Sequence, residues 1–279
     1  MGLYNILVRP FIRRMELERA SKFSLRYFEI VEKIPGSRRI NRLLNNNGPQ
    51  GLEQEVFGLS FYNPVGIGSG LDRNGTLYNA LNNFGVSYVE IGPMDADGVR
   101  RALRQIQKDP QNDILAVCIN ADFLTAFTLA YDFFDFFVFD ISADPHAETL
   151  DPILEARLAE EVYKPVIIKL PKRISDPEIE AILDYGLMNG IDGIEARNMD
   201  QVRLIASRSA RKMPVIANTH IDSPGDAGEA LKAGASLVAV RNGFVREGPQ
   251  FVQNILKHLS ALQKNERNHP KTPRNAAQE

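Results

Sequence analysis

Eight short apolar runs of β character, each separated from the next by about one helix's worth of residues, constrain this chain more than any other feature. They are Val65 to Gly68, Tyr88 to Gly92, Ile114 to Ile119, Phe136 to Ser142, Val166 to Leu170, Gly193 to Ala196, Val215 to Asn218 and Leu237 to Val240. Between them apolar residues recur three and four apart, as in Leu77, Leu81 and Phe84 or Ile179, Ile182, Leu183 and Leu187, the period of an amphipathic helix. Runs rich in Val and Ile belong to a parallel sheet buried on both faces. Eight such units predict an α/β fold, a (β/α)8 TIM barrel, and barrels of this kind fill roughly 250 residues as one domain.

The punctuation agrees with that frame. Gly85, Gly190 and Gly234 each follow a helical stretch and precede a strand, where a left-handed cap is needed. Ser175 and Ser223 stand before prolines and acids at helix starts, as N-caps do. Glu53 to Tyr62, with Gly58 between two extended runs, predicts a hairpin that plugs the barrel floor. The expected division is a helical segment over 1–50, the barrel with its leading hairpin over 51–263, and a disordered tail over 264–279.

Charge sets the first segment apart. The whole chain carries 33 Lys and Arg against 35 Asp and Glu, which removes the electrostatic case for a dedicated nucleic-acid binder. Residues 1–50 nevertheless hold ten basic and four acidic residues. Leu3, Ile6, Leu7, Val8, Phe11 and Ile12, interleaved with arginines, form an amphipathic pattern. Such a helix either packs on the main domain or lies on an anionic membrane surface. Cys118 is the single cysteine, so neither an intramolecular disulfide nor a thiolate metal cluster is available. No metal site is expected, no apolar run reaches the roughly 18 residues of a span, and the expected location is the cytoplasm, with residues 1–30 placed to touch the inner face of a membrane.

In such barrels chemistry sits where the strands end. There the sequence offers Ser69, Gly70, Asp72 and Arg73; Pro93 to Asp95; Asn120 and Asp122; Ser142, Asp144 and His146; Glu195, Arg197 and Asn198; Asn218 to His220 and Asp222; and Arg241, Asn242 and Gly243. Lys169, inside an apolar run, must find a partner, because an unpaired buried ammonium is costly. An anionic cofactor, a substrate carbonyl forming a Schiff base, or a carboxylate such as Asp140 would each serve. His146 with Asp144 has the spacing of an acid/base pair, and also of an ordinary surface loop. Gly243 and Arg241 suit a phosphate, although Thr219 and His220 stand where two glycines would bring it closest.

The stretch from Phe57 to Asp72, reading FGLSFYNPVGIGSGLD, resembles the start of the barrel in dihydroorotate dehydrogenases. Ala233 to Val238, followed by Gly243-Phe244 and Gly248-Pro249, resembles that family's last strand and helix. The basic N-terminus with Glu18-Arg19-Ala20 is similar to the quinone-linked class 2 branch. The resemblance spans most of residues 5–260 and implies FMN across the barrel mouth, oxidation of dihydroorotate to orotate in pyrimidine synthesis, and a quinone acceptor. It assigns Gly68, Ser69, Gly70, Arg73, Lys169, Asn198, Arg241, Asn242 and Gly243 to the cofactor.

The substrate half departs from the family. Its proton-accepting serine is Ala143 here, Asp140 and Cys118 replace asparagines, and only about twenty residues separate Gly92 from Ile114. Ser142 and His146 are then the candidate bases. Three functions follow: a flavoenzyme using one of them, a non-catalytic relative binding a phosphorylated ligand or a protein, and a Schiff-base lyase built on Lys169.

Overall fold

The eight apolar runs form eight parallel strands that close on themselves in the computed structural model, which describes residues 3–45, 48–109 and 113–268. A hairpin of β1 (Gln54–Val56) and β2 (Leu59–Phe61) leads into β3 (Val65–Ile67), β4 (Tyr88–Met94), β5 (Ile114–Ile119), β6 (Phe136–Asp140) and β7 (Val166–Lys169). β8 (Gly193–Ala196), β9 (Val215–Ala217) and β10 (Leu237–Val240) complete the ring, and Val238 pairs with Val65 to close it. The chain is a (β/α)8 TIM barrel.

Four helices precede the hairpin: α1 (Leu3–Leu7), α2 (Arg9–Ile12), α3 (Leu17–Glu32) and α4 (Ser37–Asn45). The barrel layer holds α5 (Tyr78–Asn82), α6 (Ala96–Ile106), α7 (Phe123–Ala130), α8 (Asp151–Leu158), α9 (Asp176–Asn189), α10 (Met199–Arg208) and α11 (Pro224–Ala233). The chain then runs through α12 (Asn242–Glu247) and α13 (Pro249–Asn268). Ser175 and Ser223 each start a helix with a reciprocal capping box, and Gly190 and Gly234 end those helices in the left-handed region.

The lower barrel is filled, as expected of a packed core and not a pore. Tyr88, Phe136, Val138, Ile167, Ile216 and Leu237 point inward, and Val56 and Phe61 of the hairpin pack up against them. The hairpin therefore closes the floor. Gly66 has to be glycine, since a Cβ there would stand 2.0 Å from the Tyr88 ring.

The N-terminal segment packs one side on the barrel and leaves apolar side chains exposed on the other. Tyr4, Val8, Ile12, Ala20 and Phe28 are buried, and the Phe28 ring stacks on Phe244 of α12 with centroids 5.4 Å apart. On the opposite side Ile6, Leu7, Phe11 and Ile30 remain more than half exposed. Among the described residues no helix is long and apolar enough to cross a membrane.

Two boundaries depart from the sequence reading for a visible reason. β6 ends at Asp140, two residues early, because the Asp140 carboxylate turns back to accept the Ser142 N–H at 3.0 Å. α13 continues to Asn268, so residues 264–268 are helical where a disordered tail was expected; Leu259 is buried and Leu262 packs on the core just before them, so an anchored helix carries them forward. The rest of that tail lies outside the described residues.

Candidate functional site

Above the apolar floor, the barrel interior becomes ionic. Lys169, at the end of β7, places Nζ 2.5 Å from Glu195 Oε1, 3.4 Å from Glu90 Oε1 and 2.6 Å from Ser69 Oγ. Both carboxylates are fully buried. Asn218 donates to Glu195 Oε1 at 2.7 Å. Oε2 of Glu90 and Oε2 of Glu195 have no other partner, and a hydrogen bond between the two carboxyl groups accounts for both.

The electrostatics explain how so much charge tolerates burial. Desolvation pulls the Lys169 ammonium down, and Glu195 and Glu90 more than reverse it, so it is held above its ordinary value. Desolvation, then the charge of Glu90, push Glu195 up to about 7 against the pull of Lys169. With Glu195 protonated and donating to Glu90, one ammonium faces one carboxylate and the cluster is neutral. A buried charge that is paired and fully hydrogen-bonded escapes most of its desolvation cost.

Over this layer opens a small cleft lined by Lys172, Arg197, Asn218, Thr219, His220, Ile221, Asp222, Arg241 and Asn242. Ile221 is its one apolar residue and Asp222 its one acid. Arg241 lies across the mouth: its Nη1 is 3.1 Å from where a Cβ on Gly70 would stand. Burial, and then repulsion from Arg197 and Arg73, lower the Arg241 guanidinium from its ordinary value. Arg197 reaches Asp140 only at 3.8 Å. Neither Arg241 nor Arg73 makes an ion pair among the described residues, so cationic charge outweighs the single Asp222 carboxylate at the mouth.

Several predicted site residues meet here, and several do not. Lys169, Ser69, Gly68, Gly70, Arg241 and Asn242 come together, with Arg73 exposed at the rim. Asp140 is not the partner of Lys169, although the two are register neighbours; its carboxylate is committed to the Ser142 N–H and hydroxyl. Asn198 caps α10, accepting from the Gln201 N–H at 2.9 Å. Gly243 offers no open face to a ligand, since a Cβ there would meet the Phe251 ring at 2.4 Å and the Ile221 carbonyl at 2.8 Å. Ser142 and His146 are both exposed, and His146 Nδ1 lies 2.5 Å from Asp144, which raises the imidazole above its usual range.

The sequence reading missed Glu90 and Lys172. Glu90 carried a signal as loud as that of Lys169: a carboxylate inside an apolar strand, two residues from inward-facing Tyr88. Lys172, in the loop after β7, had none.

Known proteins share both the fold and parts of the sequence. The family profile described as dihydroorotate dehydrogenase matches residues 190–262, from β8 into α13. A dihydroorotate dehydrogenase (quinone) of Christiangramia forsetii is 23% identical, the match covering 91% of this chain and 97% of that one. One from Vibrio parahaemolyticus is 26% identical over 91% and 99%. Crystal structures of the Eimeria tenella enzyme superpose with TM-scores of 0.67, in complex with ferulenol, and 0.64, ligand-free. The first is 16% identical and covers 85% of this chain and 93% of that one.

In sequence and in fold the chain is similar to dihydroorotate dehydrogenases. It is shorter than that Christiangramia relative, since their alignment runs over 332 positions, more than the 279 residues present here. Among the described residues, α6 is the one helix between β4 and β5.

Whether FMN suits this barrel mouth can be tested on the residues themselves. The cationic cleft fits a phosphate group. The flavin ring fits less well, because ring sites are normally lined by apolar and aromatic side chains. The faces of Gly68 and Gly70, which the family resemblance gives to the cofactor, are covered by this chain's own side chains. A Cβ on Gly68 would meet Asn218 at 3.1 Å, and Gly70 faces Arg241. As arranged, the residues at the mouth suit a phosphate group better than a flavin ring.

Proposed function

We propose that this chain is a ligand-binding member of the dihydroorotate dehydrogenase family whose barrel mouth holds a small phosphorylated molecule, and that it does not oxidise dihydroorotate. The observation that carries this reading is the convergence of Arg197, Arg241 and Lys172 on one cleft, with Arg73 close enough to repel Arg241. Guanidinium groups match phosphate oxygens two bonds at a time, and a dianion relieves the repulsion among them. The oxidative half lacks its chemistry: Ala143 has no proton-accepting atom, and Ser142 and His146 are solvent-facing side chains already bonded to carboxylates. Proton transfer and positioning each contribute large factors to such a reaction.

A Schiff-base lyase finds no support, because a lysine must be deprotonated to attack a carbonyl and Glu195 and Glu90 hold Lys169 protonated. FMN retention is a second reading, favoured by Lys169 and by the family itself; it requires Arg241 to leave Gly70. The visible spectrum of the protein, as isolated and after incubation with FMN and desalting, separates the two. A retained flavin band supports the second reading. A colourless protein that binds phosphate monoesters supports the first, and one that binds neither overturns both.

For the N-terminal segment we propose peripheral contact with an anionic membrane surface. Leu7 and Phe11 are exposed beside Arg13 and Arg14, apolar area next to positive charge.

A further inference from the structure

We propose that an anion entering the barrel mouth is taken up together with a proton, which Glu195 holds beneath it. This deepens the anion-binding reading above and rests on it.

The geometry joins the two sites directly. Asn218 lines the cleft and donates to Glu195 Oε1 at 2.7 Å, so the floor of the cleft is the roof of the carboxyl pair. The groups facing Glu195 come from every side of the barrel. Glu90 and Tyr88 approach from β4, Lys169 from β7 and Arg241 from the end of β10, while Cys118 of β5 lies within its field. His220, in the loop after β9, is the one imidazole lining the cleft.

Charge counting then dictates the coupling. With both carboxyl groups ionised, Lys169 leaves one negative charge unmatched, and Arg241 is the cation nearest to balance it; Glu195 and Glu90 both act on Arg241 in the favourable sense. An anion that engages Arg241 takes that balance away. The surplus negative charge is then relieved by a proton on Glu195, in the hydrogen bond it already makes to Glu90. Glu195 lies at about 7, where neither form is far from the other in free energy. Coupling of this kind is reciprocal, so protonated Glu195 strengthens anion binding by the same factor by which the anion favours the proton.

Sulfate is the probe of choice, because it carries no titrating proton near neutral pH and any proton taken up belongs to the protein. Calorimetric titration of the full chain with sodium sulfate, in two buffers of different ionisation heat at neutral pH, should show uptake of a fraction of a proton per sulfate bound. Sulfate affinity should fall as pH rises through about 7, approaching a limit of about tenfold per pH unit. Glu195→Gln should still bind sulfate, with an affinity independent of pH and no proton uptake. Should that variant fail to fold, Glu90→Gln carries the same expectation, since Glu195 then balances Lys169 alone and has no reason to protonate. His220→Asn should bind sulfate more weakly and keep the proton uptake per sulfate. Binding with no proton uptake overturns the coupling and leaves the anion site standing. Uptake that survives Glu195→Gln and disappears in His220→Asn also overturns it. Absence of sulfate binding overturns the anion site and the coupling with it.

Discussion

Arg241 lies against the bare face of Gly70, its guanidinium 3.1 Å from where a methyl group would stand. Gly70 also has φ of +97°, in the region that disfavours any side chain. Gly70→Ala should therefore do two things at once: destabilise the fold by roughly 1 kcal/mol or more through backbone strain, and displace Arg241 from the mouth. The expected outcome is a drop in sulfate affinity of about tenfold, the worth of one charge-assisted hydrogen bond, read by calorimetry. An unchanged affinity would show that Arg241 does not hold the anion.

Lys169 is structural before it is anything else. Lys169→Met leaves Glu90 and Glu195 buried without their ammonium, and breaking a buried pair from one side costs about 3–5 kcal/mol. Adding Glu195→Gln to that variant should recover part of the loss. Denaturant unfolding of the two variants checks this. Borohydride treatment of the parent protein with simple aldehydes or ketones should leave Lys169 unlabelled.

The pH dependence of stability has a definite sign. Burial raises Glu195 from 4.5 to about 7 in the folded state, so between those values the folded chain holds a proton that the unfolded chain has released. Stability from this group is complete below about 4.5 and is lost as pH rises through about 7, by at most about 3 kcal/mol. The slope belongs to the difference between the parent protein and Glu195→Gln, measured by thermal unfolding across that range. A difference that grows in the opposite direction would mean Glu195 is ionised throughout.

Restoring the family's serine should not restore the reaction. Ala143→Ser places a hydroxyl on an exposed loop with no cover above it. With FMN and dihydroorotate supplied, orotate formation followed by absorbance should stay at background. A clear rate would show that the short connections still cradle the substrate.

For the N-terminal face, sedimentation with anionic vesicles is decisive. The full chain should pellet with them and lose most of that association in Leu7→Glu combined with Phe11→Glu, both of which replace exposed side chains. Neutral vesicles should retain little of it.

How much of this was legible in the sequence divides by distance along the chain. The capping boxes at Ser175 and Ser223 and the hairpin before β3 follow from chemistry within a few residues. The closed barrel follows from counting strands. The carboxyl pair did not follow, because β4 and β8 are not neighbours in the ring and their side chains meet only across its interior. Reasoning from adjacent strands led to Asp140, which has the right register, and missed Glu90, which has the right reach. Arg241 over Gly70 was hidden for the same reason: 171 positions of chain separate two residues that the closure of β10 on β3 brings face to face.

The short helix α12 is gripped from both ends. Asn242, its first residue, lines the mouth, while Tyr4 hydrogen-bonds the Val245 carbonyl and packs its ring on Gly248, and Arg9 pairs with Glu247 at 2.7 Å. Residues 4–9 thus brace from behind the helix whose first residue lines the cleft. A recombinant version trimmed to begin at the hairpin would keep all eight strands and give up the brace behind Arg241. A fusion partner or protease cut near the N-terminus would change ligand affinity without touching a single residue of the cleft.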